Sequence, residues 1–150
     1  MTVVSIMAVL ATLVMPSLLR SRTTALETTA IVNLRTLASS LELYQTANNR
    51  YPDSWQTQMY TAATPPFGPA SFNTAMAGSV VQGYAYTYTA APAGCTTNCT
   101  DYALSGIPQI LGLTGTRAFF LDRSSMIRHC RGAGPADATS QPIGQPPVAC

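Results

Sequence analysis

The stretch that most constrains this chain is its first. From Met1 to Leu19 no residue carries a charge, and the run closes on Arg20 and Arg22. As a helix it would rise about 28 Å, close to the roughly 30 Å hydrocarbon core of a bilayer. No basic segment precedes it and the helical pattern continues past any cleavage point, so an anchor is expected rather than a signal peptide. Leu26, Ala30, Leu34, Leu37, Leu41 and Tyr44 then recur at steps of three and four, an apolar stripe among Thr, Ser, Glu27, Arg35 and Glu42. One helix is expected, apolar all round over 1–22 and amphipathic over 23–50, about 70 Å long. It should end near Asn48, where Asn tolerates a left-handed cap and Pro52 forbids continuation. Pro16 lies inside the pattern, removes one backbone hydrogen bond and crowds the preceding turn, so a kink or a melted stretch is expected over residues 11–15. Neighbouring helices in a membrane or bundle can compensate such a break.

Beyond the helix, residues 51–82 read as a loop marked by Pro65, Pro66, Gly68 and Pro69, with helical turns over 54–62 and 72–77 capped by Asp53 and Ser71. The segment 83–130 reads as an antiparallel sheet. "GYAYTYTA" (83–90) alternates three tyrosines on one face, "TDYALSGIPQ" (100–109) pairs with it, and strands follow around Arg117 to Asp122 and Ser125 to Cys130. The tail 131–150, rich in Gly and Pro, shows no pattern and is tied back by Cys150. Tyr84, Tyr86 and Tyr88, with Phe119 and Phe120, are read as an aromatic face covering the helix.

The four cysteines are Cys95, Cys99, Cys130 and Cys150, and the chain has one histidine, His129. Neither spacing nor histidine supply suits zinc, so disulfides in an oxidising compartment are expected. Of the possible pairings, local closure favours Cys95 with Cys99 and Cys130 with Cys150. The composition narrows the function further. Only 9% of residues are charged and the net charge is +2, far from the basic excess of a nucleic-acid binder, so no specific nucleic-acid binding is expected. The acidic residues Glu27, Glu42, Asp53, Asp101, Asp122 and Asp137 form no sequence pair suited to acid–base work. A bonded Cys130 would leave His129 without a thiol to activate. No phosphate loop, hydrolase elbow or zinc-protease motif occurs, and the chain is read as no enzyme, with no cofactor and no metal. The "NCT" at Asn98 is a formal glycosylation sequon, read as chance beside a bonded Cys99.

The α+β pattern of a long helix, apolar then amphipathic, on an antiparallel sheet of about four strands with a disulfide-closed C-terminal loop resembles the bacterial type IV pilins. The residues that carry the resemblance are "VVSIMAVLATLVMPSLLRSR", "NLRTLASSLELYQTANNRYP", "GYAYTYTA" and "GTRAFFLDRSSMIR". The chain is expected to begin inside the family's helix, after the leader, the methylated N-terminus and the glutamate that pilins carry there. The resemblance implies a structural subunit held in the inner membrane before assembly and then polymerised with copies of itself into an extracellular pilus, with prepilin peptidase and the pilus assembly machinery as partners. Val3, Val4, Ile6, Met7, Ala8, Leu10, Ala11, Leu13 and Val14 would pack in the filament core, and Pro16 would mark where the helix melts and lengthens on assembly. Arg20 and Arg22 either mark the membrane boundary or meet Glu27 or Glu42 of a neighbour. The alternatives are a type II secretion pseudopilin, which commonly carries a calcium site where a pilin has its C-terminal disulfide, and a monomeric membrane-anchored binding module.

Overall fold

The amphipathic stripe decides where the core forms. A computed structural model of the chain describes the backbone of residues 2–150 and the side chains of residues 18–150. Helix α1 (Thr2–Asn48) runs unbroken for 47 residues. Ala30, Leu34, Leu37, Leu41 and Tyr44 are buried as the periodicity requires, joined by Ala38, while Leu26 is half-buried at the edge of the core. Burying each of the three leucines contributes about 1.5–3 kcal/mol. Val32, Arg35, Glu42 and Leu43 face solvent on the other side. The helix ends as expected. Asn49 adopts φ 55°, and its N–H donates to the Gln45 carbonyl at 2.7 Å.

The backbone is helical across residues 11–15 and through Pro16, where a kink or a melted stretch was expected. A single missing N–H interrupts the ladder without ending it, because residues on both sides keep their own bonds. The proposed core positions Val3, Val4, Ile6, Met7, Ala8, Leu10, Ala11, Leu13 and Val14 and the Pro16 ring lie outside the residues whose side chains are described. Among the described residues no helical stretch is long and apolar enough to cross a membrane.

The segment after the helix is less of a loop than its prolines suggest. Tyr51, Trp55, Met59, Tyr60, Phe72 and Met76 all enter the core. A π-helical turn covers Thr57–Thr61 and a 3₁₀ turn Ala70–Phe72, the second lying earlier than the expected 72–77. Neither Asp53 nor Ser71 caps them. Their N-terminal neighbours are Gln56 and Pro69, without side-chain caps, and the Asp53 N–H instead donates to Gln58 Oε1.

Strand β1 (Ala77–Val81) was expected to be loop. It pairs with β2 (Tyr84–Ala91) through a tight turn in which Gln82 and Gly83 both have positive φ, at 51° and 82°. Two left-handed residues in succession make a hairpin turn whose twist matches that of the strands, and glycine takes the second position at no steric cost. The meander continues through β3 (Asp101–Pro108), β4 (Arg117–Asp122) and β5 (Arg128–Arg131), the first two close to the strands read from sequence and the third shorter. Two-residue strands β6 (Gln141–Pro142) and β7 (Val148–Ala149) pair with β5, antiparallel and parallel respectively. The sheet therefore has seven strands rather than about four, in the order β1-β2-β3-β4-β5-β6 with β7 also on β5.

One sheet face lies on α1 and supplies Tyr84, Tyr86, Tyr102, Leu104, Phe119 and Leu121 to the core. Phe120 is not part of it. Alternation along β4 turns Phe120 to the reverse face, where it packs with Ile107 against Ala118, Cys130 and Ala136. Tyr88 is half-buried on the core side.

Candidate functional site

Two levels along α1 organise the head. At its base, near Leu26 and Glu27, lie the β1–β2 turn and the β3–β4 loop; near the C-terminal end of the helix lies the β2–β3 connection. Gly83 packs so tightly here that an added Cβ would sit 3.1 Å from Thr114 Cβ and 3.6 Å from Leu26 Cδ1. At the far end the Tyr51 N–H donates to the Cys99 carbonyl, and Arg50 Nη1 donates to the Thr96 carbonyl, both at 2.9 Å. The Cys95–Cys99 bridge closes the turn that these bonds hold.

Glu27 is the centre of the basal level. It is a charged residue in phase with the apolar stripe, and only 5% of its surface is exposed. Its carboxylate accepts from the Thr116 N–H (2.7 Å), the Thr116 hydroxyl (2.8 Å), Arg117 Nε (2.9 Å) and Arg117 Nη2 (2.7 Å). Burial pushes this carboxyl up, but the Thr116 bonds and the Arg117 guanidinium together outweigh it and hold Glu27 below its ordinary value. Glu27 is therefore engaged inside the chain, by Thr116 and Arg117.

The network extends from there. Arg117 Nη1 lies 3.2 Å from His129 Nδ1, and because a guanidinium can only donate, Nδ1 accepts. The ring proton is then on Nε2, which donates to the Gln145 carbonyl at 3.0 Å. The Arg117 guanidinium also lies over the Phe119 ring, 5.6 Å from its centroid, and that ring stacks on His129. A continuous polar path thus joins helix, β4, β5 and the tail. Cys130 and Cys150 are bonded to each other beside it, so His129 has no free thiol next to it, and the favoured pairing of all four cysteines is the one present.

The other residues named for contacts with a neighbour lie apart from this network. Arg20 and Arg22 are exposed below the head. Glu42 is exposed on α1 and accepts from the Tyr51 hydroxyl at 2.8 Å. Burial, with Glu42 adding to it, pushes that hydroxyl up to about 12. Beside Glu42 a groove of about 660 Å³ runs between α1 and the β4–β5 turn, lined by Arg35, Ala38, Ser39, Leu43 and Leu121. Among the described residues no group of three His, Cys, Asp or Glu side chains is placed to hold a metal ion. The tyrosine row is structural: Tyr84 donates to the Arg117 carbonyl, Tyr88 to the Pro52 carbonyl, and Tyr86 accepts from Asn33 Nδ2. Sequence reasoning missed the Glu27–Arg117–His129 network. Its one local signal was a lone carboxylate on the buried face of the helix. Compared with protein-family models, curated proteins and solved structures, the chain finds no match.

Proposed function

We propose that the chain is a structural subunit of the type IV pilin kind, which polymerises through its N-terminal helix into an extracellular filament. The observation that carries this reading is one helix used in two ways. Its second half is the spine of a disulfide-closed α+β head, and its first half continues the same helix as an uncharged run. A run of nineteen uncharged residues is suited to apolar surroundings: a bilayer before assembly, the helices of other copies after it. Contacts that join one face of a subunit to a different face of the next grow a helical polymer when their rotation does not close into a ring.

The covalent closure of the tail by Cys130 and Cys150 supports a pilus subunit over a pseudopilin, for which a calcium site in that region is the common pattern. Electron microscopy of sheared surface material from cells expressing the chain tests the reading. Filaments that label with antibody to the head are expected. Recovery of the chain only as a detergent-soluble monomer under all expression conditions would reject it.

A further inference from the structure

The β3–β4 loop at the base of the head carries Ile110, Leu111 and Leu113, exposed at 52%, 51% and 45%. A loop tip normally sheds such residues, and three in four positions make an apolar patch that asks for a partner. The loop is well built. The Gln109 N–H donates to Gly83, Leu113 and Thr114 N–H groups to Ile110, and Gly112 N–H to Gly115, so its backbone is satisfied and it offers apolar side chains outward. It also stands at one particular place. Thr114 packs at Gly83 beside Leu26, and Thr116 and Arg117 grip Glu27. Leu26 is seven residues from Leu19, where the uncharged run ends, which is about 10 Å along the helix.

Charge is distributed to match. Between the run and the head lie the exposed Arg20 and Arg22, and the helix carboxylate at this level, Glu27, is neutralised by Arg117. Glu42 and Asp53 lie at the opposite end of the helix, with Asp101 and Asp122 at the matching ends of β3 and β4. Arg50 and Arg123 stand among these four carboxylates, so acid outnumbers base at the far end, while the base of the head presents apolar side chains beside Arg20 and Arg22.

We propose that the Ile110–Leu113 loop is a lipid-contact element, which seats the base of the head in the interfacial layer of an anionic bilayer while Arg20 and Arg22 meet lipid phosphates. The headgroup layer adds some 5–8 Å to each side of the hydrocarbon core, so exposed apolar side chains on a loop about 10 Å up the helix lie within a side chain's length of it. Two lipid contacts of different depth fix the tilt of the subunit before assembly, which a single helix alone does not. The inference rests on the reading of the uncharged run as a membrane anchor.

The test uses the full chain reconstituted in phosphatidylcholine–phosphatidylglycerol vesicles with shallow-brominated acyl chains. In Leu111→Trp the new indole reports the loop, and the unsubstituted chain gives the background of the buried Trp55. Leu43→Trp, at an exposed site far up the helix, is the comparison. The expected result is a blue shift and several-fold stronger bromine quenching for Leu111→Trp than for Leu43→Trp, weakened when Arg20 and Arg22 are both changed to Gln. Equal quenching at both positions, or none at Leu111→Trp in a chain that floats with the vesicles, overturns the loop contact and leaves the anchor standing. A blue shift that follows protein density and ignores bromine assigns the loop to a second copy and also overturns it. A chain that does not float with vesicles rejects the anchor and the loop contact together.

Discussion

Removing the Glu27 carboxylate is the most informative single perturbation of this fold. The Glu27 side chain is 7% exposed and that of Arg117 29%, so the pair is buried on one side and wetted on the other. Breaking a fully buried pair costs about 3–5 kcal/mol, and partial hydration of the orphaned arginine reduces this, so Glu27→Ala should cost about 2–3 kcal/mol. Glu27→Gln keeps the shape and one acceptor but loses the charge-assisted part of its bonds, for a cost of about 1–2 kcal/mol. Urea unfolding of the full chain in mild detergent measures both. Trp55 is the chain's one tryptophan and is buried, so its fluorescence reports the head. A double-mutant cycle of Glu27→Gln with Arg117→Gln should give a coupling of about 1 kcal/mol or more.

The pH dependence supplies an independent check. Glu27 is lowered in the fold from an ordinary value of 4.5, so on acidification the unfolded chain takes up this proton first. Stability therefore rises with pH through that window: the contribution is fully present above about 4.5 and is lost as pH falls through the lowered folded value. The difference between the unsubstituted chain and Glu27→Gln should be largest at neutral pH and shrink on acidification below 4.5. A Glu27→Ala cost within about 0.5 kcal/mol of zero, or a coupling of zero with Arg117, would refute the clamp.

Three further outcomes follow from the packing. Replacing Cys130 and Cys150 together by Ser opens a loop of 20 residues and should cost about 3 kcal/mol, read as a lower urea midpoint, with loosening of β6 and β7 visible as faster amide exchange. In Gly115→Ala the new methyl would overlap the hydroxyl of Tyr84, which is fully buried and bonded to the Arg117 carbonyl; a loss of about 1–3 kcal/mol by thermal unfolding is expected. Burial pushes Tyr60 and Tyr86 up to about 12 and raises Tyr84, Tyr88 and Tyr102 as well. The unfolded chain then loses its phenolic protons first as pH rises through the ordinary value of 10.0, so stability should fall steeply above it; absorbance titration that shows all these tyrosines ionising at the ordinary value in a folded chain would contradict the packing.

Parts of this architecture were legible because local pattern and tertiary role coincide. The stripe from Ala30 to Tyr44 has helical spacing and is buried, and "RAFFLD" is a strand over the residues its aromatic content suggests. Strand β1 was not legible. "AGSVV" contains a glycine at φ 86° and a register shift between Ala77 and Ser79, and its turn places Gln82 where Asn, Asp or Gly would have signalled a hairpin. Gln82 is there for a tertiary reason, since its side-chain oxygen accepts from Asn33 Nδ2 at 2.9 Å and ties the turn to the helix. Strands β6 and β7 are two residues each, too short for any periodicity, and β7 lies immediately before the cysteine that bonds to β5. Phe120 was assigned to the wrong face because two adjacent aromatic residues cannot share one face of a strand.

The Glu27 clamp was missed for a different reason, and that reason bears on function. Its partners are 89 and 90 residues away, so nothing near either of them in sequence announces the pair. What the sequence did contain was a conflict: residue 27 precedes Ala30 by three and Leu34 by seven, which places a carboxylate on the stripe that must be buried. A buried charge demands a specific partner in a specific geometry, whereas apolar contacts tolerate sliding. The core thins at Leu26, and at that level the orientation of the sheet on the helix passes from non-directional packing to four directed bonds on one carboxylate. In the filament subunit proposed above, the helix would be held by other molecules below this point and the head would meet its neighbours above it, so a fixed angle between the two is the property that assembly would need. Glu27 and Arg117 are where this chain sets it.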